Sequence, residues 1–196
     1  DNRRVDFLQG GRDTDMTFDS PQNGYNVRKR ISLDVLPRDG KYVYQPGILY
    51  RMAEAYLGYA EALNESSPAP TPDVYKYVNL IRERAGIPNI TVTYPQDLGD
   101  KEKMREWILR ERQIELAFEG DRFWTLARRL LYEKEENRKI YRMNVLADDQ
   151  GQGFAFEGFY ERKLLQTRYW DNKMYLYPIA QTEIDRGRGL VQNPGW

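Results

Sequence analysis

The most informative stretch of this sequence runs from residue 110 to residue 124 and reads RERQIELAFEGDRFW. Its glutamates Glu111, Glu115 and Glu119 recur at every fourth position, which places them on one face of a helix. Like charges at that spacing repel one another, so we expect cations close to them. The expected partners are the arginines of the same stretch: Arg110, Arg112 and Arg122.

A helical region, residues 101–143, surrounds this stretch and is expected to form a second helical layer. A helix is predicted from Lys101 to Phe118, Gly120 interrupts it, and a second piece is predicted from Asp121 to about Leu131. The apolar set of the first piece is Met104, Trp107, Ile108, Ile114, Ala117 and Phe118. Residues 132–143 are highly charged and are expected to be a solvated element.

A helix hairpin is predicted further upstream, over residues 48–86. Its first helix runs from Ile48 to Asn64 and is ended by the proline-rich stretch 66–72, and its second helix stops at Gly86. The predicted buried stripes are Met52, Tyr56, Tyr59 and Leu63 on the first helix, and Val74, Tyr77, Val78 and Ile81 on the second. The pair resembles one tetratricopeptide unit. A single unit cannot bury its faces alone, so we expect neighbouring helices upstream or elsewhere in the chain.

The remaining segments are predicted to be long loops with a few short strands, which gives a mainly α fold. The predicted strands are Tyr25–Val27, Ile31–Leu33, Lys41–Tyr44 and Met174–Ile179. Residues 147–161 form a loop rich in Gly and Phe, and Thr182 is expected to cap a last helical turn.

Composition narrows the classes of function. The 196 residues are 40% hydrophobic and 13% aromatic, which supports a globular fold. Lys plus Arg and Asp plus Glu number 30 each, so no net positive field attracts nucleic acid. The chain has no Cys and no His. It therefore lacks thiol nucleophiles, the commonest general base and the commonest zinc ligand.

Three segments resemble the SusD/RagB family in order and spacing. They are residues 50–65 followed by 79–88, residues 110–124, and residues 175–179 with the ending Gln192-Asn193-Pro194-Gly195-Trp196. The resemblance is close over residues 48–196 and loose over 1–47. The sequence departs from the family pattern at Thr125, where an acidic residue is frequent, and at Ala180, where a second Pro is common.

This resemblance implies an organisation and a function. Residues 1–196 would be the C-terminal region of a SusD-like protein, comprising the hairpin (48–86), the helical motif region (101–143) and a loop-rich C-terminal segment (144–196). The N-terminal half, with its lipid-bearing cysteine, would lie outside this chain. Such proteins are expected on the outer face of the outer membrane, where they bind oligosaccharide and deliver it to a SusC-type TonB-dependent transporter. No catalysis and no cofactor are implied.

Two other functions remain open on the residues alone. A helical-repeat scaffold that binds another protein would use the same hairpin. A carboxylate-dependent glycosidase would use two of Glu111, Glu115 and Glu119, one protonated and one ionised. Residues 148–153 could also offer oxygen ligands to calcium, although they lack the full acidic spacing of an EF-hand loop, which favours an ordinary turn.

Aromatic side chains in loops are the candidate glycan contacts. Sugar rings present C–H groups that stack on Trp and Tyr faces. Aromatic residues on predicted helix faces are expected in the core: Tyr56, Tyr59, Trp107, Phe118 and Trp124. The candidates for ligand binding are Tyr42, Tyr44, Tyr94 and Trp170.

Overall fold

The computed structural model describes residues 27, 29–32, 34–36, 39–144, 157–187 and 189–196. The chain divides into two compact units. We call Lys29–Thr125 the helical unit, and Asp1–Arg28 together with Leu126–Trp196 the C-terminal unit. The fold is mainly helical, as predicted. The predicted strand at Tyr25–Val27 and the loop 148–153 considered for calcium lie wholly or mostly outside the described residues.

The described residues of the helical unit form four α-helices and the start of a fifth. They are α1 (Met52–Ser66), α2 (Pro72–Arg84), α3 (Ile90–Thr93), α4 (Lys101–Glu115) and α5 (Asp121–Arg128), which crosses the unit boundary. Pro72 occupies the first turn of α2, where its missing N–H costs no hydrogen bond. Asp100 caps α4 by accepting hydrogen bonds from the backbone N–H groups of Glu102 and Lys103.

Two apolar clusters hold these helices together. The larger is formed by Ala60, Val74, Val78, Ile90, Met104 and Ile108, and the smaller by Ala53, Leu57, Ile81 and Leu116. Both clusters join side chains of α1, α2 and the region of α4. The hairpin is thus closed by the later helix, and the tetratricopeptide character of the hairpin stays a prediction.

The buried face of α1 is shifted by one position along the sequence from the predicted stripe. Met52 is 60% exposed and Tyr59 is also exposed, whereas Ala53, Leu57 and Ala60 are buried. The small alanines let α2 and α4 approach closely, so the helix turns its alanine face inward and its bulky face outward. The helix also begins at Met52 rather than Ile48, because Arg51 is extended, with φ −130° and ψ 151°.

The first piece of the helical motif region ends earlier than predicted. Helix α4 stops at Glu115, and Phe118 has a φ of 62°, which is incompatible with a continued right-handed helix. Phe118 is 69% exposed, and Ile114 and Trp124 are exposed as well. The predicted core roles of Tyr59, Phe118 and Trp124 are therefore wrong, because all three side chains are exposed.

The C-terminal unit contains a strand pair that the sequence did not predict. Strands β1 (Lys139–Arg142) and β2 (Lys163–Thr167) pair antiparallel, with an irregularity between Ile140 and Tyr141. The charged stretch 132–143 thus ends in a strand instead of remaining only a solvated element. A short helix, α6 (Gln181–Asp185), follows without a side-chain cap from Thr182.

Two other predicted strands are wrong. Residues Lys41–Tyr44 contribute only an isolated bridge, between Lys41 and Leu36. Over Met174–Ile179 the chain forms a 3-10 turn, Asn172–Tyr175, and then continues without regular structure. Neither segment has a neighbouring strand among the described residues, and an isolated strand leaves its backbone groups unpaired.

The last five residues are hydrogen-bonded to the segment around residues 173–179. The Gln192 side chain exchanges two hydrogen bonds with the backbone of Ile179, at 2.8 and 2.9 Å. Asn193 Nδ2 donates to the carbonyl oxygen of Tyr177, and Trp196 Nε1 donates to that of Leu176. The third family-like motif is therefore one structural unit made of two segments.

Candidate functional site

Glu111, one of the three glutamates that suggested a glycosidase, forms a buried ion pair. Its carboxylate pairs with Arg82, and both side chains are more than 90% buried. The guanidinium of Arg82 also donates to the carbonyl oxygen of Pro88 at 2.6 Å and to Thr93 Oγ1 at 3.1 Å. The pair links α2, α4 and the connection between them, with its hydrogen-bonding groups largely satisfied.

Glu115 and Glu119 share the guanidinium of Arg51. Arg51 Nη1 lies 2.7 Å from Glu115 Oε1, and Arg51 Nη2 lies 2.7 Å from Glu119 Oε1. Arg84 adds a second cation to Glu115 at 2.7 Å, and Lys29 pairs with Glu119. The Lys29 ammonium also donates to the backbone carbonyls of Glu115 and Ala117, so it satisfies carbonyls at the end of α4.

These contacts fix the charge of Glu119. Burial alone would raise its pKa, but hydrogen bonds from Arg51 and Lys29 outweigh burial and lower the pKa of Glu119 to about 2. The hydrogen bond to Glu119 raises the pKa of Arg51, against the effect of burial. Glu119 is therefore ionised at neutral pH and cannot act there as a general acid.

Two arginines of the motif, Arg110 and Arg112, have other partners than predicted. Arg112 pairs with Asp121, and its Nε lies 3.0 Å from Thr125 Oγ1. Thr125 in turn donates to Asp121 Oδ2 at 2.9 Å, so the residue that departs from the family pattern completes this cluster. Arg110 lies over the ring of Trp107, 5.6 Å from its centroid. The cations of the three glutamates come instead from residues distant in sequence.

Two predicted ligand contacts, Tyr42 and Tyr44, are free for stacking. Tyr42 is 75% exposed and Tyr44 is 89% exposed, and both lie in an irregular segment of the helical unit. Neighbours in the same segment are exposed as well, including Leu49 and Tyr50. The segment therefore presents several ring and alkyl surfaces to solvent.

The other two candidates are stacked within the protein. Tyr94 lies on Trp107 with ring centroids 3.6 Å apart, and Trp107 Nε1 donates to Asp97. Trp170 lies on Tyr132 with centroids 4.0 Å apart and meets Tyr175 edge to face at 4.7 Å. At most one face of Tyr94 and one face of Trp170 can contact a sugar.

The partners of Trp170 were missed by the sequence analysis. Tyr132 lies in a stretch predicted to be solvated, and Tyr175 lies in a predicted strand. No pattern in the sequence indicates that residues so far apart are in contact. Within the described residues, Trp170 Nε1 and Tyr175 Oη are buried and have no hydrogen-bond partner. Buried polar atoms without a partner are uncommon and cost stability, so this aromatic cluster is an unusual feature of the C-terminal unit.

The described residues contain neither a cluster of metal ligands nor a helix that could span a membrane. In the described part of the chain, no group of three or more Asp, Glu, Cys or His side chains could hold a metal ion. None of the described helices is both long and apolar enough to cross a membrane.

Comparison with known proteins gives a consistent result. SusD-like protein P2 of Formosa agariphila is 31% identical over 150 residues, which cover 74% of this chain and 25% of the relative. SusD-like protein P38 of the same organism is 39% identical over 84 residues, or 41% of this chain and 16% of the relative. A crystal structure of a SusD-like protein from Bacteroides fragilis matches with a TM-score of 0.59 and 33% identity, covering 76% of this chain and 26% of that one.

The match thus spans about a quarter of the length of protein P2 and of the Bacteroides fragilis protein, and 16% of protein P38. The model of the SusD family matches residues 2–196, nearly the whole chain. The three motifs noted in the sequence therefore lie within one continuous match, and the chain belongs to the SusD family.

Proposed function

We propose that this chain is part of a non-catalytic protein that binds oligosaccharide for nutrient uptake and delivers it to a SusC-type TonB-dependent transporter. The protein would act at the cell surface, held to the outer membrane by a lipid anchor outside residues 1–196. The observation that supports this proposal most strongly is the SusD family match over residues 2–196. A likeness of this extent favours the family's mode of action over an unrelated scaffold role.

The state of the carboxylates supports the absence of catalysis. A retaining or inverting glycosidase needs one carboxyl group with a raised pKa and a second that is ionised. Glu111, Glu115 and Glu119 are instead each paired with cations, and the pKa of Glu119 is about 2. This arrangement serves to hold helices together.

Sugar contact is assigned to the predicted aromatics. Tyr42 and Tyr44 can each offer an open ring, while Tyr94 and Trp170 can contribute one face or an edge. Neutral sugar rings bind such surfaces through C–H groups, and hydroxyls bind adjacent polar side chains.

Calorimetric titration of the full-length protein against plant, host and microbial oligosaccharides tests this proposal, with hydrolysis monitored in the same samples. We expect saturable binding without product. Tyr42→Ala and Tyr44→Ala should weaken binding by about two- to tenfold each, as expected for loss of a stacked ring. Tyr177→Ala, which removes an exposed ring in the C-terminal unit, serves as the matched control.

Three outcomes would contradict the proposal. Turnover that is lost in Glu111→Gln or Glu115→Gln, with folding retained, would establish a glycosidase. Absence of binding across the panel would favour a scaffold that binds another protein. Failure of a co-expressed SusC-type transporter to co-purify with the protein would refute the delivery role.

A further inference from the structure

The strand pair of the C-terminal unit concentrates positive charge in a chain that is neutral overall. Six cations lie on β1, β2 and the residues next to them: Arg138, Lys139, Arg142, Arg162, Lys163 and Arg168. Lys139 pairs with Glu135 and Glu136, and Lys163 pairs with Glu161. Among the described residues, the four arginines form no ion pair with a carboxylate.

The register brings like charges next to each other at both ends of the pair. Arg142 lies directly opposite Lys163. At the other end, Arg168 N donates to the carbonyl oxygen of Arg138 at 3.0 Å, so these two residues are also neighbours. Like charges opposite each other in a sheet are destabilising. Arrangements that lower stability, such as these neighbouring cations, are expected at sites where a ligand binds.

Two of the guanidinium groups contain buried donors without acceptors. Within the described residues, Arg138 Nε and Arg142 Nη1 are buried and have no hydrogen-bond partner. A buried donor of a charged group is costly to leave unpaired, and a planar guanidinium fits a carboxylate or sulfate through two parallel hydrogen bonds. The two buried atoms are not themselves open to a ligand, but Arg142 is only partly buried and Arg168 is exposed. Because neither guanidinium has a carboxylate partner among the described residues, both can bind an oxyanion.

Aromatic rings adjoin this positive charge. Trp170 follows Arg168 by two residues and stacks on Tyr132, with its Nε1 and the Tyr175 hydroxyl lacking partners among the described residues. Arg162 lies over the ring of Tyr141, 3.7 Å from its centroid. Ring faces and oxyanion-binding groups together match a sugar that carries an acidic substituent.

We infer that the strand pair, together with Trp170, binds an acidic saccharide through its carboxylate or sulfate groups. This inference rests on the proposed function and narrows its substrate class. Arg142 and Arg168 bind the acidic groups, and Trp170 orients the sugar ring.

The test compares oligosaccharides of equal length that differ only in charge. The full-length protein is titrated with a neutral oligosaccharide, an oligouronate and a sulfated oligosaccharide, at about 50 and about 300 mM salt. We expect at least one acidic ligand to bind about tenfold more tightly than the neutral ligand, with the preference reduced at the higher salt concentration. The oligouronate and sulfated arms distinguish the two sources of the oxyanion.

Variants then locate the site. Arg142→Gln and Arg168→Gln should each reduce acidic-ligand affinity about tenfold, as for loss of a charge-assisted hydrogen bond. Arg186→Gln removes an exposed arginine of the same unit that pairs with Glu183, and it should leave the affinity unchanged. Circular dichroism spectra of the variants verify that the fold is retained.

The outcomes separate this inference from the proposed function. Equal affinity for neutral and acidic sugars, or no effect of either arginine variant, overturns the inference and leaves glycan capture standing. Absence of binding to every saccharide refutes both. Binding of phosphatidylglycerol vesicles that is lost in Arg142→Gln, without preference for acidic sugars, overturns the inference in favour of a lipid headgroup.

Discussion

The buried pair of Arg82 and Glu111 provides the sharpest test of what the family-like motif does. The change Glu111→Gln keeps the volume of the side chain but removes its charge. Arg82 then stays buried, with hydrogen bonds to Pro88 and Thr93 but without its counter-ion. Breaking a buried ion pair by removing one partner costs about 3–5 kcal/mol in the free energy of unfolding. In a chain of this size that loss corresponds to a fall of roughly 6–20 °C in melting temperature.

Urea denaturation followed by circular dichroism measures this change, with Glu106→Gln as the control. Glu106 pairs with Lys103 at 3.1 Å, and both side chains are at least half exposed. Removing that solvent-exposed pair should leave the free energy of unfolding almost unchanged. The double variant Arg82→Met with Glu111→Leu should recover much of the stability, because no charge is left buried. If Glu111→Gln unfolds within about 1 kcal/mol of the unchanged protein, the structural role assigned to the pair is refuted.

Three further predictions concern the ends and turns of the helices and the acid stability. Because the pKa of Glu119 is depressed to about 2, its stabilising pairing is present above pH about 4.5 and is lost as the pH falls toward 2; Glu119→Gln should therefore flatten the pH dependence of the unfolding free energy in that window. Asp100→Ala removes the cap of α4 and should destabilise the protein by about 1 kcal/mol in urea denaturation; an unchanged midpoint would contradict the capping role. Gly195→Ala should lower the melting temperature, since Gly195 has a φ of 87° and an added Cβ would lie 3.0 Å from Lys173 Cβ. Gly58→Ala serves as the comparison: an added Cβ in α1 meets open space, so this change should raise the melting temperature.

Sequence patterns predicted the buried residues and the helix ends correctly where the local signal agreed with the tertiary packing. Val74, Val78 and Ile81 recur at helical spacing and are buried as predicted, because α2 has a single apolar stripe. The breaks at residues 67–71 and at Gly86 follow from proline and from a positive φ that glycine adopts without strain. The motifs likewise identified the family before any contact was known.

Tertiary structure alone decided which face of α1 is buried and which cations pair with the glutamates. Both the stripe that includes Tyr59 and the stripe that includes Ala60 have helical spacing, and the close approach of α2 and α4 selects the alanines. The partners of Glu115 and Glu119 are Arg51, Arg84 and Lys29, which lie far away in the sequence and become neighbours only when the helices pack. Periodicity reports which residues share a face, but the energy of burial depends on the surface opposite. For this chain the sequence determined the family and the helices, and packing determined the core face, the ion pairs and the aromatic cluster around Trp170.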